Sequence, residues 1–173
     1  SCLAAEFCKE VHLFEPAPQI FYYLKKNTLE YSNVFLNNLA VSNKNGIVEI
    51  YFDKKSSGMT TMNKNATKRS DFDLDKQEKI QTITLDGYIK NHSHPTIIKM
   101  DIEGGEKMAI EGGEVFLKNE SPIIAMEIWS QKNNGEISME AVEKLKDYGY
   151  RSYFINRDGT LKEVEGDSLK IIT

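Results

Sequence analysis

Residues 96–106, "TIIKMDIEGGE", lead an apolar run, broken by one Lys, into three acids set around a glycine pair: Asp101, Glu103 and Glu106. Carboxylates crowded at the end of a buried strand repel one another. The arrangement needs a cation, a proton or open solvent to tolerate it. Two further acids leave apolar runs in the same way: Glu15 follows "VHLF" (11–14) and Glu127 stands within "PIIAMEIW" (122–129). In open α/β sheets, ligands bind outside the carboxyl ends of the strands. A carboxylate just past a strand can accept two hydrogen bonds from a ribose diol, which suits Glu15. One such acid alone needs no ligand, because strand ends meet solvent and collect polar residues. Three together favour a pocket.

The remaining chemistry-bearing residues say less. His12 falls within a strand pattern, and "HSHP" (92–95), with His92 and His94, reads as a loop. No His and carboxylate spacing argues for a metal at Asp101. Cys2 and Cys8 make neither a disulfide framework nor a zinc motif, and are expected to be small buried thiols in a reduced compartment. Trp129, Tyr148 and Tyr150 either line an acceptor pocket or, as aromatics at such positions usually do, fill the core.

The elements that must carry these residues alternate. Residues 3–7 read as the last turns of a helix and "VHLFEP" (11–16) as a strand stopped by Pro16. "PQIFYYLKKN" (18–27) is a helix with Pro18 in its first turn and an apolar stripe of Ile20, Phe21 and Leu24. Strands follow at 34–42 and 47–52, either side of an Asn45-Gly46 turn. Residues 53–79 turn polar, the mark of a lid, a binding loop or disorder, and "SSGMTTM" (56–62) is expected to fold over the site. Alternation resumes in "IQTITLDGYI" (80–89), which runs into a short helix or turn, and then come a strand at 96–100, a helix at 106–113 and a strand at 122–129. Ser138 is the expected cap of a helix at 139–149, whose Ala141, Val142 and Leu145 share a face. Residues 150–165 read as a hairpin turning at Asp158-Gly159. Strand–helix alternation of this kind predicts an α/β domain with a mostly parallel sheet, edged by the antiparallel hairpin.

Composition narrows the function classes. The chain has 173 residues, a single domain's length, with 40% hydrophobic and 28% charged residues. Its formal net charge is -4 and its 22 Lys and Arg are dispersed, so no nucleic-acid footprint stands out; the locally basic "NKNATKRS" (63–70) reads as a solvated loop. No apolar run approaches the roughly 20 residues of a membrane helix. Glu6, Lys9 and Glu10 occupy the place of a signal peptide's apolar core, which sets the expected address as cytoplasmic. The glycine fingerprint GxGxxG of NAD-binding enzymes is absent, and "EGGE" does not replace it.

Taken in order, "VHLFEPAPQIFYYLKKN", "LNNLAVSNKNG", "IQTITLDGYI", "IIKMDIEGGEKMAIEGG" and "PIIAMEIW" resemble the FkbM family of S-adenosylmethionine-dependent methyltransferases. The resemblance runs from the start of the chain to Trp129 and more loosely through the hairpin, and rests on "FEP", "TLD" and "KMDIEGGE" in combination. It implies a class I, Rossmann-like methyltransferase fold with a seven-stranded, mostly parallel sheet and its reversed strand in the final hairpin. It also implies O-methylation of a sugar or natural-product hydroxyl, hence a small-molecule or glycan acceptor. By the same resemblance Glu15 would hold the cofactor ribose, Pro16 would lie beside the adenine, and Asn38 and Ala40 would lie near its edge. Asp101 would stand by the methionyl end. The cofactor carries a sulfonium and an ammonium, for which a carboxylate cluster is a sensible host. Asp101, Glu103 and Glu127 are the candidate bases for the acceptor proton, whereas Glu106 suits the first turn of the following helix, facing its dipole.

The chain departs from the family pattern at its front. The opening strand and glycine-rich turn that bring backbone close to the cofactor are missing before "SCLAAEFCKEVHLFEP". The expectation is a methyltransferase domain cut short; the alternative is a non-catalytic α/β module derived from the same fold. A missing central strand would leave its neighbours unpaired, so reduced stability or homo-oligomerisation is expected.

Overall fold

The computed structural model describes residues 2–53, 60–61, 74–102, 104–127 and 135–163. Strands and helices alternate from the start: α1 (Cys2–Phe7), β1 (Val11–Phe14), α2 (Pro18–Asn27), β2 (Val34–Asn37) and β3 (Ala40–Val41). A run of strands follows, β4 (Gly46–Asp53), β5 (Thr60–Thr61) and β6 (Leu74–Ile83), closed by α3 (Leu85–Ile89). Then come β7 (Ile97–Met100), α4 (Glu106–Glu111), α5 (Glu114–Glu120), β8 (Ile123–Met126), α6 (Gly135–Asp147), β9 (Tyr153–Ile155) and β10 (Leu161–Glu163).

Among the described residues the strands form four hydrogen-bonded sheets. β1 pairs parallel with β2, and β7 parallel with β8. β3, β6, β4 and β5 form a mixed sheet, and β9 and β10 the terminal hairpin. Its turn is built as expected, with Gly159 at φ +83° and Asp158 Oδ1 accepting from the Thr160 amide at 2.9 Å. Among the described strands β1 and β7 are each paired on one side only.

Two apolar clusters among the described residues hold these layers. In one, Ile98, Met100, Ile124 and Met126 of the β7–β8 pair meet Ala109 and Ile110 of α4, Phe116 and Leu117 of α5, and Ala141 and Leu145 of α6. The three-residue face read for α6 is buried, Ala141 and Val142 almost completely. The other cluster packs Ala17 and Ala40 against Ile50, Phe52 and Ile80, with Ile20 of the α2 stripe alongside.

Several local expectations change. β6 starts at Leu74, so the later part of the polar stretch is strand, paired antiparallel with β4 along most of its length. α6 starts at Gly135, which puts Ser138 inside the helix rather than at its cap. α5 follows α4 directly after the Gly112-Gly113 pair. The thiols are not buried: Cys8 is exposed and Cys2 half-buried, its Sγ donating to the Asn27 carbonyl at 3.4 Å. Residues 54–59 and 62–73, which hold most of the expected lid, lie outside the described residues.

Candidate functional site

Asp101 and Glu127 are brought together by strand register. β7 and β8 run parallel with Met100 opposite Met126, so the next residue of each strand leaves the sheet beside the other. The Glu127 amide donates to the Met100 carbonyl at 3.2 Å, which holds the pairing to the strand ends. Lys99 lies two residues before Asp101, on the same side of the strand, and its Nζ is 3.1 Å from Asp101 Oδ2. The neighbouring Asp101 charge, then burial, push the Glu127 carboxyl above the usual glutamate range, with Lys99 opposing and Glu106 adding to the rise.

Glu106 has another task. It is 2% exposed, and its Oε1 accepts from the amides of Ile102 and Gly104, both at 3.3 Å. The carboxylate reaches back from the first turn of α4 to template the loop that follows β7. Gly104 takes φ +92° in that loop, a left-handed conformation in which a side chain would be strained. Glu106 Oε2 is buried with no hydrogen-bond partner among the described residues. Glu103 lies outside the described residues.

A second group forms where β1 and β2 end. Glu15 follows β1, its amide donating to the Asn37 carbonyl at 3.0 Å, while its Oε1 accepts from the Ala17 amide at 2.8 Å. Burial raises the Glu15 carboxyl, and the Ala17 bond partly offsets that. Asn38 is exposed and ties the turn, its Nδ2 donating to the carbonyls of Glu15 at 2.8 Å and Pro16 at 3.1 Å. Ala40 is 4% exposed, its methyl in the core cluster. No hydrogen bond or ion pair among the described residues links this group to Asp101 and Glu127. No group of three or more His, Cys, Asp or Glu is placed to hold a metal among the described residues.

The "TLD" triplet proves to be a clamp. Thr84 Oγ1 accepts from the Gly87 amide at 3.1 Å and caps α3. Asp86 accepts from the amides of Phe116 at 2.9 Å and Val115 at 3.1 Å, capping α5 from a distant part of the chain. Gly112 fits against the Ser42 carbonyl so closely that an added Cβ would stand 2.0 Å from its oxygen. These contacts lock the layer behind β7 and so fix where Asp101 emerges.

At the opposite end of β1 lies an open groove of about 590 Å³, with Glu10, His12, Phe35, Lys90 and His92 on its walls. His12 stacks on Phe35, and its ring nitrogens face Tyr88 Oη at 2.8 Å and Glu10 Oε2 at 3.3 Å. Asn37 Nδ2 donates to the same Tyr88 oxygen at 3.1 Å. The polar groups here satisfy one another and tie β1 to α3. Tyr148 and Tyr150 pack against the core, Tyr150 Oη donating to the Leu117 carbonyl at 3.0 Å. Burial, with Glu114 nearby, pushes the Tyr148 hydroxyl up to about 12. Trp129 lies outside the described residues.

The match to known proteins follows this geometry. The Methyltransferase FkbM domain family matches residues 2–152. The chain belongs to that family. A crystal structure of the methyltransferase FkbM from Methylobacillus flagellatus KT superposes with a TM-score of 0.54 at 16% identity, covering 84% of this chain and 32% of that one. The chain thus spans about a third of that protein's length and shares its Rossmann-like α/β fold. No curated protein matches the chain. No helix among the described residues is long and apolar enough to cross a membrane.

Proposed function

We propose that this FkbM domain is an S-adenosylmethionine-dependent O-methyltransferase acting on a hydroxyl of a sugar or natural product. The observation that carries the reading is the meeting of Asp101 and Glu127 at the carboxyl end of the β7–β8 pair. That is where an α/β sheet places its ligands. The donor set suits the cofactor: a strand-end carboxylate, Asp101, for its ammonium, and a half-buried carboxylate, Glu15, for two ribose hydroxyls. Pro16 and Asn38 would border the adenine beside Glu15, with Ala40 behind them, and Asp101 would hold the methionyl end. When bound, the cofactor supplies an electrophilic methyl group. The chain's part is to orient the acceptor oxygen in line with that methyl and to take its proton, with Asp101, Glu103 and Glu127 as the candidate acceptors of it.

The test is transfer of an isotopically labelled methyl group to a panel of sugars and hydroxylated natural products, read by mass spectrometry. Acceptor-dependent labelling that Asp101→Asn abolishes supports the reading. Absence of labelling across the panel, together with no cofactor binding, would make the domain a non-catalytic α/β module.

A further inference from the structure

We propose that Glu127 is the general base of this site and Asp101 its anchor, with Lys99 as the positioning residue that separates their roles. The assignment rests on the methyltransferase reading and goes beyond it by dividing labour between two acids that look equivalent in sequence. They emerge side by side from adjacent parallel strands, but their surroundings differ. Asp101 has an ammonium at 3.1 Å from its Oδ2, which fixes its orientation. Glu127 is exposed and faces the charge of Asp101, with the Glu106 carboxylate on α4 adding to it and Lys99 acting from β7. A carboxylate held among negative charges takes up a proton more readily than one beside an ammonium. The shift of Glu127 above its ordinary range agrees with this geometry.

The step balances with the cofactor's sulfonium as methyl donor. The acceptor oxygen forms its bond to the methyl carbon as the carbon–sulfur bond breaks, and that electron pair stays on sulfur, leaving a neutral thioether. The hydroxyl proton passes to Glu127, which becomes a neutral acid and returns the proton to solvent from its exposed position. Lys99 is 74% exposed, so water screens its ion pair; its effect lies in orienting Asp101 and opposing the rise of the Glu127 carboxyl, not in stability.

The experiment has two arms on the full chain. In the first, carbon-detected NMR follows the side-chain carboxyls of Asp101 and Glu127 with pH. Glu127 is expected to titrate above the ordinary glutamate range, to rise further in Lys99→Gln and to return in Lys99→Arg. In the second, S-adenosylhomocysteine is titrated calorimetrically into the wild type and two isosteric variants. Glu127→Gln is expected to bind within roughly twofold of wild type, and Asp101→Asn about tenfold more weakly, the scale of one lost charge-assisted contact. A Glu127 that titrates in the ordinary glutamate range, or the two variants exchanging their binding behaviour, overturns the assignment alone. A wild-type chain that binds no S-adenosylhomocysteine overturns the functional reading and the assignment with it.

Discussion

At the scale of single residues, the same carboxylates hold the fold and the site, and the two duties separate by experiment. Glu15 accepts the Ala17 amide and, in the proposed function, would also hold a ligand diol. Glu15→Gln keeps an oxygen for that amide but loses the charge, so S-adenosylhomocysteine affinity is expected to fall about tenfold while the fold persists. The sign with pH follows from burial, which raises the Glu15 carboxyl in the folded chain above its ordinary value of 4.5. Stability from the protonated form is full below that value and is lost as pH rises through the folded value. Glu15→Gln does not suffer this loss, so its melting temperature at neutral pH should equal or exceed that of wild type. The difference should vanish toward pH 4.5 in parallel melts. The strand-ending acids were legible because an apolar run that stops at a carboxylate marks a sheet's edge. The pairing of Asp101 with Glu127 was not, since it depends on which strands are neighbours and in what register. Nor was the burial of Glu106, whose partners are backbone amides of a loop folded around it.

Among elements, the site depends on the clamp behind β7. Asp86 caps α5 from α3, and Gly112 lets the α4–α5 junction approach the end of β3. Asp86→Ala should cost about 1–2 kcal/mol through the lost cap. Gly112→Ala should cost up to about 3 kcal/mol, because its methyl would collide with backbone that has little room to move. Urea unfolding midpoints measure both; a Gly112→Ala chain as stable as wild type would refute the close approach. The same contacts explain which elements the sequence revealed. β1, β7, β8 and the Ala141-Val142-Leu145 face carry strong apolar patterns and were placed correctly. α5 was missed because its cap lies on another element, and the first half of β6 because "LDKQEK" is mostly exposed and carries no apolar alternation.

In the molecule as a whole, the parallel pairs β1–β2 and β7–β8 each leave both outer edges unpaired among the described strands. Ile97 and Ile123, opposite one another in register, are 61% and 68% exposed. Parallel strands are normally covered on both faces, so this surface is expected to drive self-association. Light scattering behind size exclusion should show a mass that rises with concentration, and Ile97→Lys with Ile123→Lys should return it to that of the monomer. A concentration-independent monomer would remove this expectation. The fold class was legible from strand–helix alternation and the order of motifs. The division of the described strands into four hydrogen-bonded sheets was not, because pairing between distant strands leaves no local mark.

Calorimetric titration of S-adenosylhomocysteine into the wild-type chain and Asp101→Asn tests the central claim most directly. One saturable site is expected in the wild type, with a marked loss of affinity in the variant. Equal binding by both, or none by the wild type, would contradict it.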